Sequence, residues 1–235
     1  MKAMNRVNPL AAGLLVVLGA ACTARGDIVV GDTISLTFEG VTSGRSVAYE
    51  FNGDSGTTNA GILNWAGGLR SFCIQLEENI GGGTTVNFDV VDPSMLPDQP
   101  PLPGPMGLAR SAVMQDLFSR YYDSAMSGTA DDAAAFQVVI WEISHEMDAT
   151  DTDAASVILG LDLGAGAATF NSSASVNAIA NDMLANLGSG GFNPYSRLLG
   201  LTNGDYQDQL IVVPSAGAIA GLGCVAAIRR RRHRS

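Results

Sequence analysis

Lysine is almost absent from this chain. Among 235 residues, Lys2 is the single lysine, and arginine is also sparse in the middle of the sequence. Between Asp27 and Asp208, five arginines stand against twenty-three acidic residues, which gives that span a net charge of −18. A surface of this sign repels the phosphate backbone. We therefore expect no nucleic-acid binding by the middle of the chain.

Cysteine is also scarce. Of three cysteines, Cys22 and Cys224 lie in terminal apolar segments, so Cys73 stands alone in the middle and cannot form a disulfide there. Such a thiol is either buried and inert or takes part in a chemical reaction. Cys73 and His145 are too few ligands for zinc, and Gly81–Gly83 lacks the Lys-Ser/Thr of a phosphate loop. We expect no metal and no cofactor, and His145 to cap its helix or be solvated.

The N-terminus has the pattern of a secretory signal. Lys2 and Arg6 form a positively charged start, Leu10–Ala21 is an apolar run, and small residues follow it. This order predicts an export signal over residues 1–26, with cleavage after Ala24 or Gly26. An alternative interpretation makes Cys22 the acceptor of a lipoprotein anchor.

The C-terminus combines a short apolar segment, Ile211–Ile228, with a run of arginines. The arginines are expected to stay on the cytoplasmic side of a membrane, leaving residues 27–210 outside it. The layout resembles a PEP-CTERM-type sorting signal. The residues that carry this resemblance are Val213, Pro214, Ser215, Arg229, Arg230, Arg231 and Arg232. It implies at least transient anchoring in the envelope of a Gram-negative-type bacterium and processing by an exosortase-type enzyme. A plain C-terminal membrane helix is the alternative.

The middle of the chain predicts an α+β fold. Alternating apolar residues over residues 27–91, separated by turns such as Asn52-Gly53-Asp54, indicate strands at 28–30, 33–38, 45–51, 72–76 and 84–91. A proline-rich loop over residues 93–105 separates them from helices at 106–127, 129–147 and 173–187, and Thr129–Asp132 has the pattern of a capping box that opens the second helix. Residues 157–170 favour strand or loop, and 208–213 a last strand. We expect a β-rich N-terminal part, sandwich or barrel-like, followed by a small helical part.

Two short motifs point to chemistry. The first motif, Phe72-Cys73-Ile74, lies on a predicted buried strand. The second motif runs from Phe136-Gln137 to Ile140-Trp141 on a predicted helix, and Gln137 follows Cys73 by 64 residues. Together they resemble the signature of bacterial surface thioester domains, in which the cysteine and glutamine side chains join. The resemblance implies a thioester between Cys73 and Gln137. The residues expected to shield it from water are Phe72, Ile74, Phe136, Ile140 and Trp141.

These observations predict an exported, envelope-anchored, adhesin-like protein and not an enzyme. Its expected partner carries an amine and is either a surface protein or a polyamine. The lack of lysine suits a domain that holds an electrophile, because such a domain then has no side-chain amines of its own to react with it. A preference for arginine codons also explains that lack. The alternative function is a non-reactive structural surface or matrix protein of the same fold. A secreted hydrolase built on Cys73 and His145 has no supporting motif.

Overall fold

The computed structural model describes residues 28–98, 104–146 and 151–214. It confirms the α+β class, with seven strands and four α-helices in the described residues. In chain order the elements are β1 Thr33–Phe51, β2 Asp54–Trp65, β3 Leu69–Cys73, β4 Thr85–Val91, α1 Gly107–Ser127, α2 Ala130–His145, α3 Ala154–Gly160, β5 Ala168–Asn171, α4 Ala174–Asn186, β6 Leu198–Asn203 and β7 Tyr206–Val212. A short 3-10 turn, Pro93–Met95, precedes α1.

The strands form one antiparallel sheet whose pairings close into a ring. The order is β2-β3-β7-β6-β4-β1-β5, and β1 also pairs with β2. The start of β1 pairs with β4, whereas its remainder pairs with β2 and β5. A single long strand thus closes six strands into a barrel, with β5 as an extension. Of the two predicted β architectures, the barrel-like one matches this ring.

The turn between β1 and β2 is dictated locally. Asn52 and Gly53 both have positive φ, 54° and 83°, and Phe51 pairs with Asp54 across them. Asn-Gly is the preferred pair for a two-residue hairpin turn of this kind because both positions need positive φ. The predicted turn at this point is confirmed.

Several predicted strand limits are wrong. Residues 28–30 lie outside the sheet, and the predicted strands 33–38 and 45–51 are parts of one strand, β1, which continues through two register irregularities. The unpredicted β2 lacks clear alternation. Residues 157–170 contain the end of α3 and most of β5. The final strand extends to Val212, so the folded unit ends at least two residues beyond the predicted boundary at 210.

Helix α2 is the buried centre of the helical part. Thr129 and Asp132 form the predicted capping box, with each side chain accepting from the other residue's backbone N–H. Every residue from Ala133 to His145 is buried, because the sequence offers no polar face and the helix lies between the barrel and the helices α1 and α4. Helix α2 therefore packs directly against strands β1, β2 and β3.

Candidate functional site

The fold brings Cys73 and Gln137 together. Cys73 is the last residue of β3, opposite Gln209 of β7, and Gln137 lies midway along α2. Cys73 is 2% exposed and Gln137 is fully buried. The pairing of β2 with β3 ends at Leu63 and Ser71, two residues before Cys73. The backbone of Cys73 therefore lacks a neighbouring strand on that side, and α2 supplies a side chain there.

The Gln137 carboxamide forms two hydrogen bonds with the Cys73 backbone. Its Oε1 accepts from the Cys73 N–H at 2.9 Å, and its Nε2 donates to the Cys73 carbonyl at 2.7 Å. An amide group held at both ends has one orientation, and here that orientation is defined by the residue that carries the thiol. The carbonyl carbon of Gln137 is thus kept beside Cys73.

The Cys73 thiol is neutral in this environment. Its Sγ donates to the carbonyl of Gln75 at 2.7 Å. Burial raises the pKa of the Cys73 thiol far above its ordinary value, and the negative charges of Asp208 and Glu77 act in the same direction. The indole N–H of Trp141 acts against them by favouring the thiolate. To act as a nucleophile, this thiol would have to lose its proton.

A cavity of about 140 Å³ gives access to the pair, and Cys73, Gln137 and Trp141 all line it. Its apolar wall consists of Phe38, Val41, Leu63 and Ile80, and its polar lining includes Asn59, Asn79 and Gln207. Asn59 and Asn79 are exposed, so the cavity reaches the surface at their side chains. The space suits a narrow molecule with an apolar stem.

All five residues predicted to shield the pair are buried, at 2% exposure or less. The rings of Phe72 and Phe136 pack with centroids 4.8 Å apart. Of the five, Trp141 lines the cavity; the other four belong to the surrounding core. The apolar wall of the cavity comes instead from β1, β2 and the loop after β3. Sequence reasoning missed these residues because they lie outside both motifs, and only the closure of the barrel brings them to the cavity.

His145 is buried, so the prediction of a solvated side chain is wrong. Its Nδ1 lies 3.0 Å from the Trp141 carbonyl, which agrees with the alternative of a helix cap. Its ring packs edge-on against Phe51, and its Nε2 lies 3.4 Å from Glu77 Oε2. Burial acts to raise the pKa of Glu77, but the hydrogen bond to His145, its charge and backbone N–H donors at Leu76 and Glu77 together hold that pKa below its ordinary value.

Asp208 is a second buried acid near the thiol that sequence reasoning did not single out. Its carboxylate accepts from the backbone N–H groups of Asp98, at 2.9 Å, and Asn203, at 3.2 Å. Burial raises the pKa of Asp208 to about 7 despite these bonds, and the charge of Asp98 adds to the rise. The negative charge of this carboxyl group acts on the Cys73 thiol and favours its neutral form.

Comparison of the chain with protein-family models, with curated proteins and with solved structures found no match. The two resemblances therefore stay predictions. Within the described residues, no group of three or more His, Cys, Asp or Glu side chains could hold a metal ion, and no helix is long and apolar enough to cross a membrane. The predicted signal, residues 1–26, and most of the predicted anchor, from residue 215 onward, lie outside the described residues.

Proposed function

We propose that this protein is an exported, envelope-anchored surface protein whose domain forms an internal thioester between Cys73 and Gln137 and attaches covalently to amine-bearing partners. One observation carries the proposal: the Gln137 carboxamide is held at both ends by the backbone of Cys73, inside a cavity that both residues line. Holding two reacting groups in place supplies much of what such a reaction needs.

Thioester formation exchanges one bond for another. Cys73 Sγ attacks the carbonyl carbon of Gln137, the bond from that carbon to Nε2 breaks, and the thiol proton leaves with the nitrogen as ammonia. During the attack, negative charge develops on Oε1, which already accepts the Cys73 N–H at 2.9 Å. A backbone donor fixed at this oxygen stabilises the tetrahedral intermediate.

Attachment of a partner reverses the roles of sulfur and nitrogen. A primary amine attacks the same carbon, the bond to Sγ breaks, and the amine proton returns to the sulfur. The product is an amide between Gln137 and the partner, together with a free Cys73 thiol. The apolar wall of Phe38, Val41 and Leu63 limits water in the cavity. The net charge of −18 on the middle of the chain attracts cationic amines.

A non-reactive structural surface protein is the second candidate, and it too has a supporting observation. The two hydrogen bonds of Gln137 also satisfy a buried amide, and the thiol of Cys73 already donates to Gln75. A buried polar network of this kind needs no chemistry to explain it. The two candidates differ in one covalent bond, so a mass measurement separates them.

The purified domain, residues 27–213, is expected to weigh one ammonia less than its sequence requires, because Gln137 loses its side-chain nitrogen. Cys73→Ala and Gln137→Ala are each expected to have their full sequence mass in intact-protein mass spectrometry. The matched control is Gln209→Ala, which removes the amide opposite Cys73 on β7 and is expected to retain the mass deficit. A wild-type domain of full mass whose Cys73 is alkylated after unfolding supports the non-reactive candidate.

The proposed anchor is tested separately by deleting residues 215–235, a deletion that leaves β7 intact because that strand ends at Val212. In a Gram-negative bacterium we expect the full chain in the membrane fraction and the truncated chain in the periplasm or medium, measured by fractionation and immunoblotting. Replacement of Arg229–Arg232 by serine keeps the apolar segment and tests the arginine run alone. Equal fractionation of the full and truncated chains contradicts the anchor.

A further inference from the structure

The chain has two tryptophans, and their indole N–H groups differ. Trp65 is fully buried and donates to Ser71 Oγ at 2.7 Å. Trp141 is 2% exposed, and within the described part of the chain its buried Nε1 has no hydrogen-bond partner. A buried donor without a partner destabilises a folded protein, so its presence calls for an explanation.

The position of Trp141 explains why its indole N–H has no partner. Trp141 lies one helical turn after Gln137 on α2, and its side chain lines the same cavity as Cys73 and Gln137. Its ring is stacked on Phe170, at 19° between planes and 6.2 Å between centroids, which fixes the direction of the N–H. The unsatisfied donor therefore belongs to a side chain that lines the cavity of the proposed reaction and that favours the Cys73 thiolate.

The sulfur needs a donor only in some of its states. As a neutral thiol, Cys73 donates to the Gln75 carbonyl. As a thiolate it can only accept, and the charges of Asp208 and Glu77 then oppose it. Thiolate character develops twice in the proposed reaction: when sulfur attacks Gln137, and when an amine displaces it.

Building on the proposed function, we propose that the indole N–H of Trp141 is the hydrogen-bond donor for the Cys73 sulfur whenever that sulfur carries negative charge. Trp141 is then more than a water shield: it stabilises the nucleophile during thioester formation and the leaving group during attachment. The missing partner in the unreacted protein is consistent with this role, because neutral sulfur is a weak acceptor and becomes a strong one when it is charged.

The first test follows the reaction. Trp141→Phe keeps an aromatic ring and removes the N–H, and loss of a hydrogen bond to a charged group is expected to slow methylamine attack on the thioester about tenfold. Trp65→Phe is the matched control, because it also removes a buried indole N–H, but one that donates to Ser71. The Trp65→Phe protein is expected to react with methylamine at the wild-type rate. Rates are measured by mass spectrometry on protein that retains the ammonia deficit. Equal rates for Trp141→Phe and the wild type overturn the proposal.

The second test does not depend on the thioester. In a Gln137→Ala background Cys73 is a thiol in every case, so its alkylation rate by iodoacetamide at fixed pH reports the thiolate population. Adding Trp141→Phe is expected to lower that rate about tenfold, and adding Trp65→Phe to leave it unchanged. If the wild-type domain has its full mass, the proposed function fails, and this comparison still decides the role of Trp141. An unchanged or faster alkylation with Trp141→Phe overturns it.

A spectroscopic readout avoids changing Trp141 at all. In the Trp65→Phe chain, Trp141 is the remaining tryptophan, so its indole N–H gives the one indole signal in a proton–nitrogen NMR spectrum. We expect that signal to begin to move downfield at the highest pH at which the domain stays folded, where the thiol released by methylamine starts to ionise, and to stay in place in Cys73→Ala. A signal that responds to pH equally in both proteins contradicts a bond from Trp141 to the sulfur.

Discussion

Methylamine should attach to Gln137 and release the Cys73 thiol in a one-to-one ratio. The amine is a better nucleophile than water, and a cavity of about 140 Å³ walled by apolar side chains admits a small amine readily. The added mass is measured on the intact protein, the attachment site by peptide mapping, and the thiol with an alkylating reagent after unfolding. Cys73→Ala is the control, since it keeps Gln137 as an ordinary amide and should take up no methylamine. Label without a matching thiol contradicts the mechanism.

The same assay tests whether charge selects the partner. Putrescine and spermidine are expected to react faster than the uncharged methoxyamine at low salt, relative to their intrinsic reactivities, because the domain carries a charge of −18. Near 1 M salt the screening length falls to about 3 Å, so this advantage should shrink. An advantage that persists unchanged at high salt shows that the acidic surface has no part in selecting amines.

Replacing Glu142 by glutamine should stabilise the domain by about 3 to 5 kcal/mol at pH 9 and have little effect near pH 5. Glu142 is fully buried on α2, where Oε1 accepts the Asp162 N–H at 2.7 Å and Oε2 has no partner among the described residues. Burial raises the pKa of Glu142 from 4.5 to about 8. Glutamine preserves the accepting oxygen and cannot ionise.

The sign of this effect follows from where the proton is held. Between pH 4.5 and about 8, the unfolded chain has lost the Glu142 proton while the folded chain keeps it, so the free energy of unfolding falls as the pH rises. Asp208, with a pKa raised to about 7, and Glu78, whose pKa is also raised, act in the same direction, so part of the loss remains in the variant. Urea unfolding at pH 5, 7 and 9 measures this in a Cys73→Ala background, which removes the base-sensitive thioester. If Glu142→Gln changes the free energy of unfolding by the same amount at all three pH values, the assignment is wrong.

The sequence predicted best the features that depend on neighbouring residues. The turn at Asn52-Gly53 and the capping box of Thr129 and Asp132 are local, and both are present. The burial of His145 could not be inferred in this way, because it depends on Phe51 and Glu77, which belong to distant segments. The closure of the barrel likewise depends on the start of β1 pairing with β4 and its remainder with β2, and no local pattern encodes that.

In the candidate site, too, the features encoded by neighbouring residues were predicted and those that depend on distant segments were not. The motifs around Cys73 and Gln137 predicted that a buried strand and a helix would meet, and the structure places the two side chains in one cavity. The two hydrogen bonds to the Cys73 backbone arise because β2 leaves β3 after Ser71. Strand β2 was not predicted, so this gap in the ladder had no sequence signal.

The position of β7 has a mechanical consequence. β7 ends at Val212, just before the proposed anchor, and pairs antiparallel with β3 on one side and β6 on the other. Tension applied through the C-terminus acts along the strand axis, so the hydrogen bonds to both neighbours are loaded in shear and must break together. A partner joined to Gln137 places the opposite end of the load on α2. The force then passes from β7 through the strands of the barrel to α2, which packs against β1, β2 and β3.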